Sequence, residues 1–141
     1  TKSLGLENQV FFVSEHFDNV RRTEGDKKIY SLADGYAHCR AMTYFSTYEG
    51  FGNAFVEALV AKRPIFVNNY EPVYWPDIGS KGFKTVQIDN SDLTDKAVED
   101  VRRIINSPKE CAEIGQYNFE LGKKHFSYDV LEELLKELFT F

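Results

Sequence analysis

The chain has 141 residues, of which 43% are apolar and 28% are charged, and its net charge is −5. This length and composition fit one globular domain with its own core and exclude a disordered segment. The negative charge argues against nucleic acid as a partner. No apolar run is long enough for a transmembrane helix.

Location and metal chemistry are constrained by what the sequence lacks. Residues 1–8 do not combine a basic start with an apolar block, so we predict no secretory signal. Cys39 and Cys111 lie in apolar helical contexts without metal-ligand spacing, which predicts reduced, buried thiols in a cytoplasmic protein. No His, Cys and Asp cluster has ligand spacing either, and the sequence predicts neither a metal nor a cofactor.

Apolar runs and helical stripes alternate along the chain. The runs predict parallel strands near residues 10–13, 41–45, 65–68 and 84–88. Apolar residues at helical spacing predict five helices, which cover residues 29–37, 54–61, 97–105, 108–125 and 130–138. Helix caps are expected at Asn53, Ser107 and Ser127, with Glu110 completing a capping box at Ser107.

Strands that alternate with helices are typical of an α/β protein. We predict a Rossmann-like three-layer sandwich with a parallel sheet, formed by residues 1–141 as one domain. In such sheets ligands bind at the carboxyl ends of the strands. The loop 69–82 carries Tyr70, Tyr74 and Trp75, which either stack on a sugar or, more commonly, pack the loop onto the core.

The stretch 46–57 lies between a predicted strand and a predicted helix. Gly50 and Gly52 let the backbone approach a ligand closely, and a helix N-terminus near Asn53 suits a phosphate. Glu57 is the only charge in a helix that is otherwise apolar all round, and a buried carboxylate needs a partner. Since helical side chains lean toward the N-terminus, Glu57 can accept from vicinal hydroxyls, as on a ribose. A tight glycine turn, with Glu57 bonded inside the fold, is the alternative.

Seven residues separate Glu49 from Glu57, with a glycine-x-glycine step directly after Glu49. This pattern resembles the E-x7-E motif of the family-4 retaining glycosyltransferases, which have the two-domain GT-B fold. Ser46 before the motif, the Pro64-Ile65-Phe66-Val67 step and the His125-Phe126-Ser127-Tyr128 step also resemble that family. By this resemblance the chain is the incomplete C-terminal, donor-binding half of such an enzyme.

The resemblance implies a role for each motif residue. Glu57 would bind the ribose hydroxyls of the nucleotide, and Glu49, the candidate catalytic residue, would contact hydroxyls of the donor sugar. Backbone N–H groups of four residues would face the diphosphate or the sugar: Gly50, Phe51, Gly52 and Asn53. Ser14 and Glu15 would lie beside the base. Transfer with retention would then depend on positioning and on stabilising the departing diphosphate.

The resemblance also implies partners, namely a UDP- or GDP-sugar donor and the enzyme's own N-terminal domain, which binds the acceptor. The basic residues that hold the diphosphate are expected upstream of Thr1, so the chain alone should not catalyse transfer. Arg40, Phe45 and Lys62 stand where the family usually has an acidic residue, a proline and a glycine, and the loop 69–77 also departs. Two other hypotheses stay open: a non-catalytic sugar-nucleotide-binding or scaffold module, and half of a sugar-nucleotide epimerase.

Overall fold

The computed structural model describes residues 1–70 and 72–139. It divides into two compact units, an N-terminal unit Thr1–His38 and a C-terminal unit that begins at Cys39. Each unit has its own three-stranded sheet. The C-terminal unit contains the whole stretch from Glu49 to Glu57.

The N-terminal unit is a small mixed sheet followed by a helix. Its elements are the 3-10 helices Lys2–Leu4 and Ser14–His16, the strands β1 (Phe17–Asp18), β2 (Arg22–Glu24) and β3 (Lys27–Ser31), and the helix α1 (Leu32–His38). The central strand β3 runs parallel to β1 and antiparallel to β2. Gly25 joins β2 to β3 with a φ of 59°, which glycine adopts without strain.

Asp34 of α1 is the buried acidic side chain of this unit. It accepts hydrogen bonds from Arg21 and from both the backbone N–H and the hydroxyl of Ser31. The Ser31 hydroxyl accepts in turn from the Asp34 N–H, so the two residues cap the start of α1 reciprocally. The hydrogen bond from Arg21 is the main reason that the pKa of Asp34 lies well below its usual range.

Two predictions for this unit are wrong. Residues 10–13 do not form a strand, and their four apolar side chains are exposed. A strand needs a neighbouring strand to satisfy its backbone N–H and C=O groups, and the apolar character of residues 10–13 does not guarantee one. The predicted helical face begins only at Leu32, because Ile29 lies in β3, opposite Arg22.

The C-terminal unit is a parallel α/β structure. Its elements are β4 (Met42–Tyr44), α2 (Asn53–Val60), β5 (Ile65–Asn68), β6 (Val86–Ile88), α3 (Asp95–Ile105), α4 (Pro108–Phe126) and α5 (Tyr128–Phe139). The strands pair in the order β4-β5-β6, all parallel, with Phe66 opposite Val86. The predicted α/β class with a parallel sheet is confirmed, and so are three of the four predicted strands.

The central strand β5 is buried on both faces. Phe66 lies in a cluster with residues of β6, α3 and the start of α4: Val86, Ile88, Ala97, Ile104 and Cys111. Ile65 and Val67 point to the opposite face, because successive side chains of a strand alternate, and both are almost fully buried. A strand buried on both sides is typical of a sheet between two helical layers.

Helices α2 and α4 pack closely where α4 carries a glycine. A Cβ on Gly115 would lie 2.1 Å from the Lys62 carbonyl oxygen, at the end of α2. Lys62 has a φ of 56°, the left-handed conformation that usually selects glycine after a helix. The glycine usual at this position in the family that the sequence resembles therefore has a conformational reason. In this chain the Lys62 ammonium lies 4.5 Å from the centre of the Phe119 ring.

Side-chain caps begin the two C-terminal helices. The Ser107 and Ser127 hydroxyls accept backbone N–H bonds at the starts of α4 and α5, so both predicted caps are confirmed. The Glu110 carboxylate pairs with Arg103, which differs from the predicted capping box. Arg40, which stands at a usually acidic position, donates to the last carbonyl of α3 over 2.8 Å.

Three observations concern membrane-spanning helices, the two cysteines and metal ligands. Among the described residues, no helix has both the length and the apolar character needed to cross a membrane. Cys39 and Cys111 are both free thiols; Cys111 is buried as predicted, whereas Cys39 is only partly buried, which corrects that half of the prediction. Over residues 1–70 and 72–139, no group of three or more His, Cys, Asp or Glu side chains could hold a metal ion.

Candidate functional site

The predicted ligand loop lies at the carboxyl ends of the parallel strands. Strand β4 ends at Tyr44, and residues 45–52 lead from it into α2. Near the start of this loop, the Ser46 carbonyl accepts a hydrogen bond of 2.9 Å from the Asn68 side-chain amide, at the end of β5. The loop is therefore attached to the neighbouring strand at the edge of the sheet where ligands bind in such folds.

The fold itself requires glycine at position 52. Gly52 has a φ of 104°, which side chains disfavour. A Cβ there would lie 2.2 Å from the Tyr70 hydroxyl oxygen and 3.2 Å from the Tyr44 ring. Tyr70 is 1% exposed and donates its hydroxyl to the Phe51 carbonyl over 3.0 Å. A buried tyrosine thus fixes the loop from the core side.

Gly50 has no such requirement. Its φ is outside the left-handed region, and a Cβ there would meet no atom of the described chain within 4 Å. Its position is exposed. Neither backbone strain nor internal packing accounts for glycine here, whereas close approach of a ligand to the backbone would.

Two hydroxyl groups hold the Glu49 carboxylate. The Ser46 hydroxyl donates to Glu49 Oε1 over 2.7 Å, and the Tyr44 hydroxyl lies beside the same carboxylate. The bond from Ser46 foremost, and then the Tyr44 hydroxyl, lower the pKa of Glu49, so the carboxylate is ionised at neutral pH. Burial, helped by the bond to Glu49, raises the pKa of Tyr44 to about 12, so this phenol keeps its proton and donates it.

Asn68 connects three loops at this edge of the sheet. Its side chain is 1% exposed; besides donating to Ser46, it accepts a bond of 2.9 Å from the Ser91 N–H, which follows β6. The neighbouring Asn69 donates to Asp89 over 3.0 Å. A buried amide with both ends bonded gives the edge a defined geometry. Sequence reasoning missed Asn68, although an asparagine that ends an apolar strand was a visible signal.

Glu57 is exposed, which corrects the expectation of a buried carboxylate. Helix α2 buries Phe55, Ala58 and Leu59 and exposes Asn53, Glu57 and Val60. The helix is apolar in composition but packs with one side only, so Glu57 avoids the cost of burial. Its position in the second turn of α2 is the predicted one.

The predicted cap at Asn53 is wrong. Asn53 is the first residue of α2, and Gly52 stands at the N-cap position in a left-handed conformation. Among the described residues, no side chain caps this helix start.

The loop residue Phe51 is held by an edge-on contact of 5.7 Å with the ring of Phe126, at the end of α4.

Ser14 and Glu15 belong to the N-terminal unit. They lie in the 3-10 helix Ser14–His16, and both are exposed. The Lys27 ammonium donates to Glu15 Oε2 over 3.1 Å, and this hydrogen bond is the main cause of the lowered pKa of Glu15. The ion pair connects the 3-10 helix, the segment that was predicted to lie beside the base, to β3.

The aromatic loop packs mainly onto the core. Tyr70 and Tyr74 are each 1% exposed, and their ring centres lie 5.2 Å apart. The packing interpretation is therefore confirmed for these two residues. Trp75, in the π-helix Tyr74–Ile78, is 57% exposed.

A cavity of about 390 Å³ lies at the opposite end of the sheet from the glycine loop. Its lining includes Ile65 and Val86, the first residues of β5 and β6. Arg103 of α3 also lines it and is already paired with Asp100, over 3.0 Å, and with Glu110. This cavity is thus separate from the predicted donor site.

Two curated proteins of the same name are similar to this segment. A protein named mannosylglucosylglycerate synthase from Thermotoga maritima is 35% identical over 120 residues, which are 77% of this chain and 26% of that protein. A protein of the same name from Petrotoga mobilis is 35% identical over 121 residues, which are 77% of this chain and 27% of that protein. The similarity supports a glycosyltransferase. The chain spans about a quarter of the length of these curated relatives. No protein-family model matches it.

A solved structure agrees with the fold. The crystal structure of TarM superposes with a TM-score of 0.57 at 22% identity, covering 76% of this chain and 21% of that one. At this identity the likeness concerns architecture alone. It agrees with the α/β arrangement around a parallel sheet.

Proposed function

We propose that the chain is the donor-binding part of a family-4 retaining glycosyltransferase and forms the C-terminal half of a two-domain GT-B enzyme. In the full-length protein it binds a UDP- or GDP-sugar, whose sugar is transferred with retention to an acceptor hydroxyl. The name shared by the two relatives supports a mannosyl unit as the transferred group and glucosylglycerate as the acceptor. The acceptor is assigned to the enzyme's own N-terminal domain, and the location to the cytoplasm.

The contrast between two glycines carries this proposal. Gly52 is explained by the fold, since its φ of 104° and its contact with Tyr70 leave no room for a side chain. Gly50 is not explained in this way, because the space beside it is open. A ligand that rests on the backbone at Gly50 accounts for the second glycine. The adjoining start of α2, with its N–H groups and positive dipole end, favours a ligand that carries phosphate.

The two glutamates receive different roles. Glu49 is ionised and held by hydroxyl groups, so it is suited to accept hydrogen bonds from hydroxyls of the donor sugar. Glu57 is exposed near the start of α2, where a carboxylate can accept from the two ribose hydroxyls. Backbone N–H groups from Gly50 to Asn53 face the diphosphate or the sugar, and Ser14 and Glu15 lie beside the base. Transfer then rests on positioning and electrostatics.

The first experiment assays the full-length protein. UDP- and GDP-linked glucose and mannose are supplied with glucosylglycerate, and released nucleotide and product configuration are measured. We expect acceptor-dependent release from one donor, with the anomeric configuration retained. Conversion of the donor sugar without an acceptor would indicate an epimerase, and binding without turnover a non-catalytic module.

The second experiment tests Glu57 in the same protein. Glu57→Gln should weaken binding of a nucleoside diphosphate about tenfold or more, because hydrogen bonds to a charged carboxylate are lost. The 2′,3′-dideoxy analogue, which lacks those hydroxyls, should lose much less. Glu99→Gln, at an exposed position of α3, is the matched control and should leave both affinities unchanged. Equal losses for both ligands would exclude the ribose role.

A further inference from the structure

The Glu49 carboxylate is ordered by groups that the motif itself does not contain. Ser46 donates to one of its oxygens over 2.7 Å, and Tyr44 supplies a second hydroxyl. A carboxylate has about four acceptor positions, so two donors leave others open for a ligand. Glu49 is half-buried, which keeps part of the carboxylate within reach of one.

The two hydroxyl groups are themselves fixed by the fold. The Tyr44 ring extends from β4 and meets the buried Tyr70 ring edge-on, with 5.4 Å between ring centres. The Ser46 backbone carbonyl accepts from the buried Asn68, which is held in turn by the Ser91 N–H. Hydrogen bonds therefore run from the loop after β6, through the end of β5, to the residue that binds Glu49.

Such support changes what a glutamate does on binding. A free glutamate side chain loses rotamer entropy when a ligand fixes it. A side chain that is already held by neighbouring groups has lost that freedom before the ligand arrives. An oriented carboxylate also discriminates between hydroxyl configurations on a sugar better than a mobile one, because the direction of its lone pairs is fixed.

We propose that Tyr44 and Ser46 are positioning residues, whose hydroxyls fix the Glu49 carboxylate in the orientation that accepts hydrogen bonds from the donor sugar. This inference rests on the proposed function, since it refines the role of Glu49 there. The two hydroxyls act through Glu49 and do not touch the substrate. Asn68 supports the arrangement by holding the backbone of Ser46.

A double-mutant cycle in the full-length protein tests the inference. Ser46→Ala and Tyr44→Phe each remove one hydroxyl, alone and together with Glu49→Gln. We expect each single change to lower kcat/KM for the donor sugar about 10- to 100-fold, the usual effect of losing a hydrogen bond to a charged group. In the Glu49→Gln background the same changes should cost much less, because the carboxylate that they orient is gone. Ser46→Thr, which keeps the hydroxyl, should restore most of the activity.

Matched controls separate positioning from loss of structure. Ser80→Ala and Tyr117→Phe each remove a hydroxyl that donates to a backbone carbonyl elsewhere, those of Pro76 and Gly82. Both should leave kcat/KM unchanged. The melting temperature is recorded for every variant, and activity is measured well below it. A loss of kcat/KM that follows the melting temperature across all variants would overturn the positioning role.

The pH dependence gives an independent measurement. Removing both hydroxyls removes the causes that lower the pKa of Glu49, so the acid limb of kcat/KM should move to higher pH in the Ser46→Ala, Tyr44→Phe double variant. Two results would overturn the inference: equal fold-losses of kcat/KM with Glu49 intact and in the Glu49→Gln background, or an acid limb that does not move. In both cases an active wild type would still sustain the proposed function. A wild type that releases no nucleotide from any donor would overturn both.

Discussion

The two units of the chain are stabilised by different interactions. Among residues 1–38 only Ile29 and Asp34 are buried. Three exposed ion pairs join its side chains, Arg22 with Asp18 and with Glu24 and Lys27 with Glu15, and a fourth pair joins the exposed Arg21 to the buried Asp34. In the C-terminal unit all four residues of β5 are buried, and an apolar cluster connects the sheet to α3 and α4.

The glutamate motif, residues 49–57, lies in the unit with the apolar core, whereas Ser14 and Glu15, which were predicted to lie beside the base, lie in the other unit. Exposed ion pairs contribute about 0–1 kcal/mol each and weaken in salt, whereas a buried apolar side chain contributes about 1.5–3 kcal/mol. The glycine loop and Glu49 are attached to the apolar unit, through Tyr70, Tyr44 and Asn68. We therefore expect the position of Glu49 to depend on apolar packing, and the position of Glu15 to depend on its ion pair with Lys27.

The largest effect is expected at the core of the C-terminal unit. Phe55 of α2 is fully buried and meets the rings of Phe83 at 5.3 Å and Tyr74 at 6.2 Å. Phe55→Ala should lower the free energy of unfolding by about 3–5 kcal/mol, because it leaves a cavity. Val60→Ala, on the exposed side of the same helix, is the matched control and should change it by less than about 0.5 kcal/mol. Urea titration measures both, and similar costs would refute the one-sided packing of α2.

A smaller effect distinguishes the two glycines of the loop. Gly52→Ala should destabilise the protein by about 1–3 kcal/mol, since the new Cβ meets Tyr70 at a strained φ. Gly50→Ala should leave the unfolding free energy nearly unchanged but weaken binding of the sugar nucleotide. Thermal unfolding and ligand titration of the same two variants measure this contrast. A Gly50→Ala variant that binds as tightly as wild type would show that no ligand approaches that backbone.

The smallest effect concerns charge in the N-terminal unit. The folded pKa of Asp34 lies below its ordinary value, so its contribution to stability is present above the unfolded pKa of about 3.9 and is lost as the pH falls toward the folded value. Asp34→Asn should therefore destabilise at neutral pH and differ less from wild type in acid. Asp26→Asn, at an exposed position, is the matched control and should leave the unfolding free energy nearly unchanged. Urea midpoints between about pH 2 and pH 7 provide the test, and a pH-independent difference would contradict the ion-pair explanation.

The sequence by itself determined the features that a few adjacent residues encode. The serine caps of α4 and α5 depend on a hydroxyl and an N–H three residues apart, and both were predicted. The apolar run at 65–67 predicted β5, because a strand buried on both faces has no polar residue at every second position. The spacing from Glu49 to Glu57 placed both glutamates around one strand–loop–helix turn.

Only the tertiary structure decided which partners these elements meet. Residues 10–13 have the apolar character of a strand, yet they lie exposed, because apolar character does not specify a neighbouring strand. Packing of one side of α2 turned Glu57 toward solvent, which composition alone did not reveal. The bond from Tyr70 to the loop at Phe51 joins residues 19 apart, and that from Asn68 to Ser46 joins residues 22 apart. Local sequence patterns determine where helices and strands form and how helices are capped. Contacts between residues so far apart in sequence exist only after the sheet has brought the carboxyl ends of its strands together.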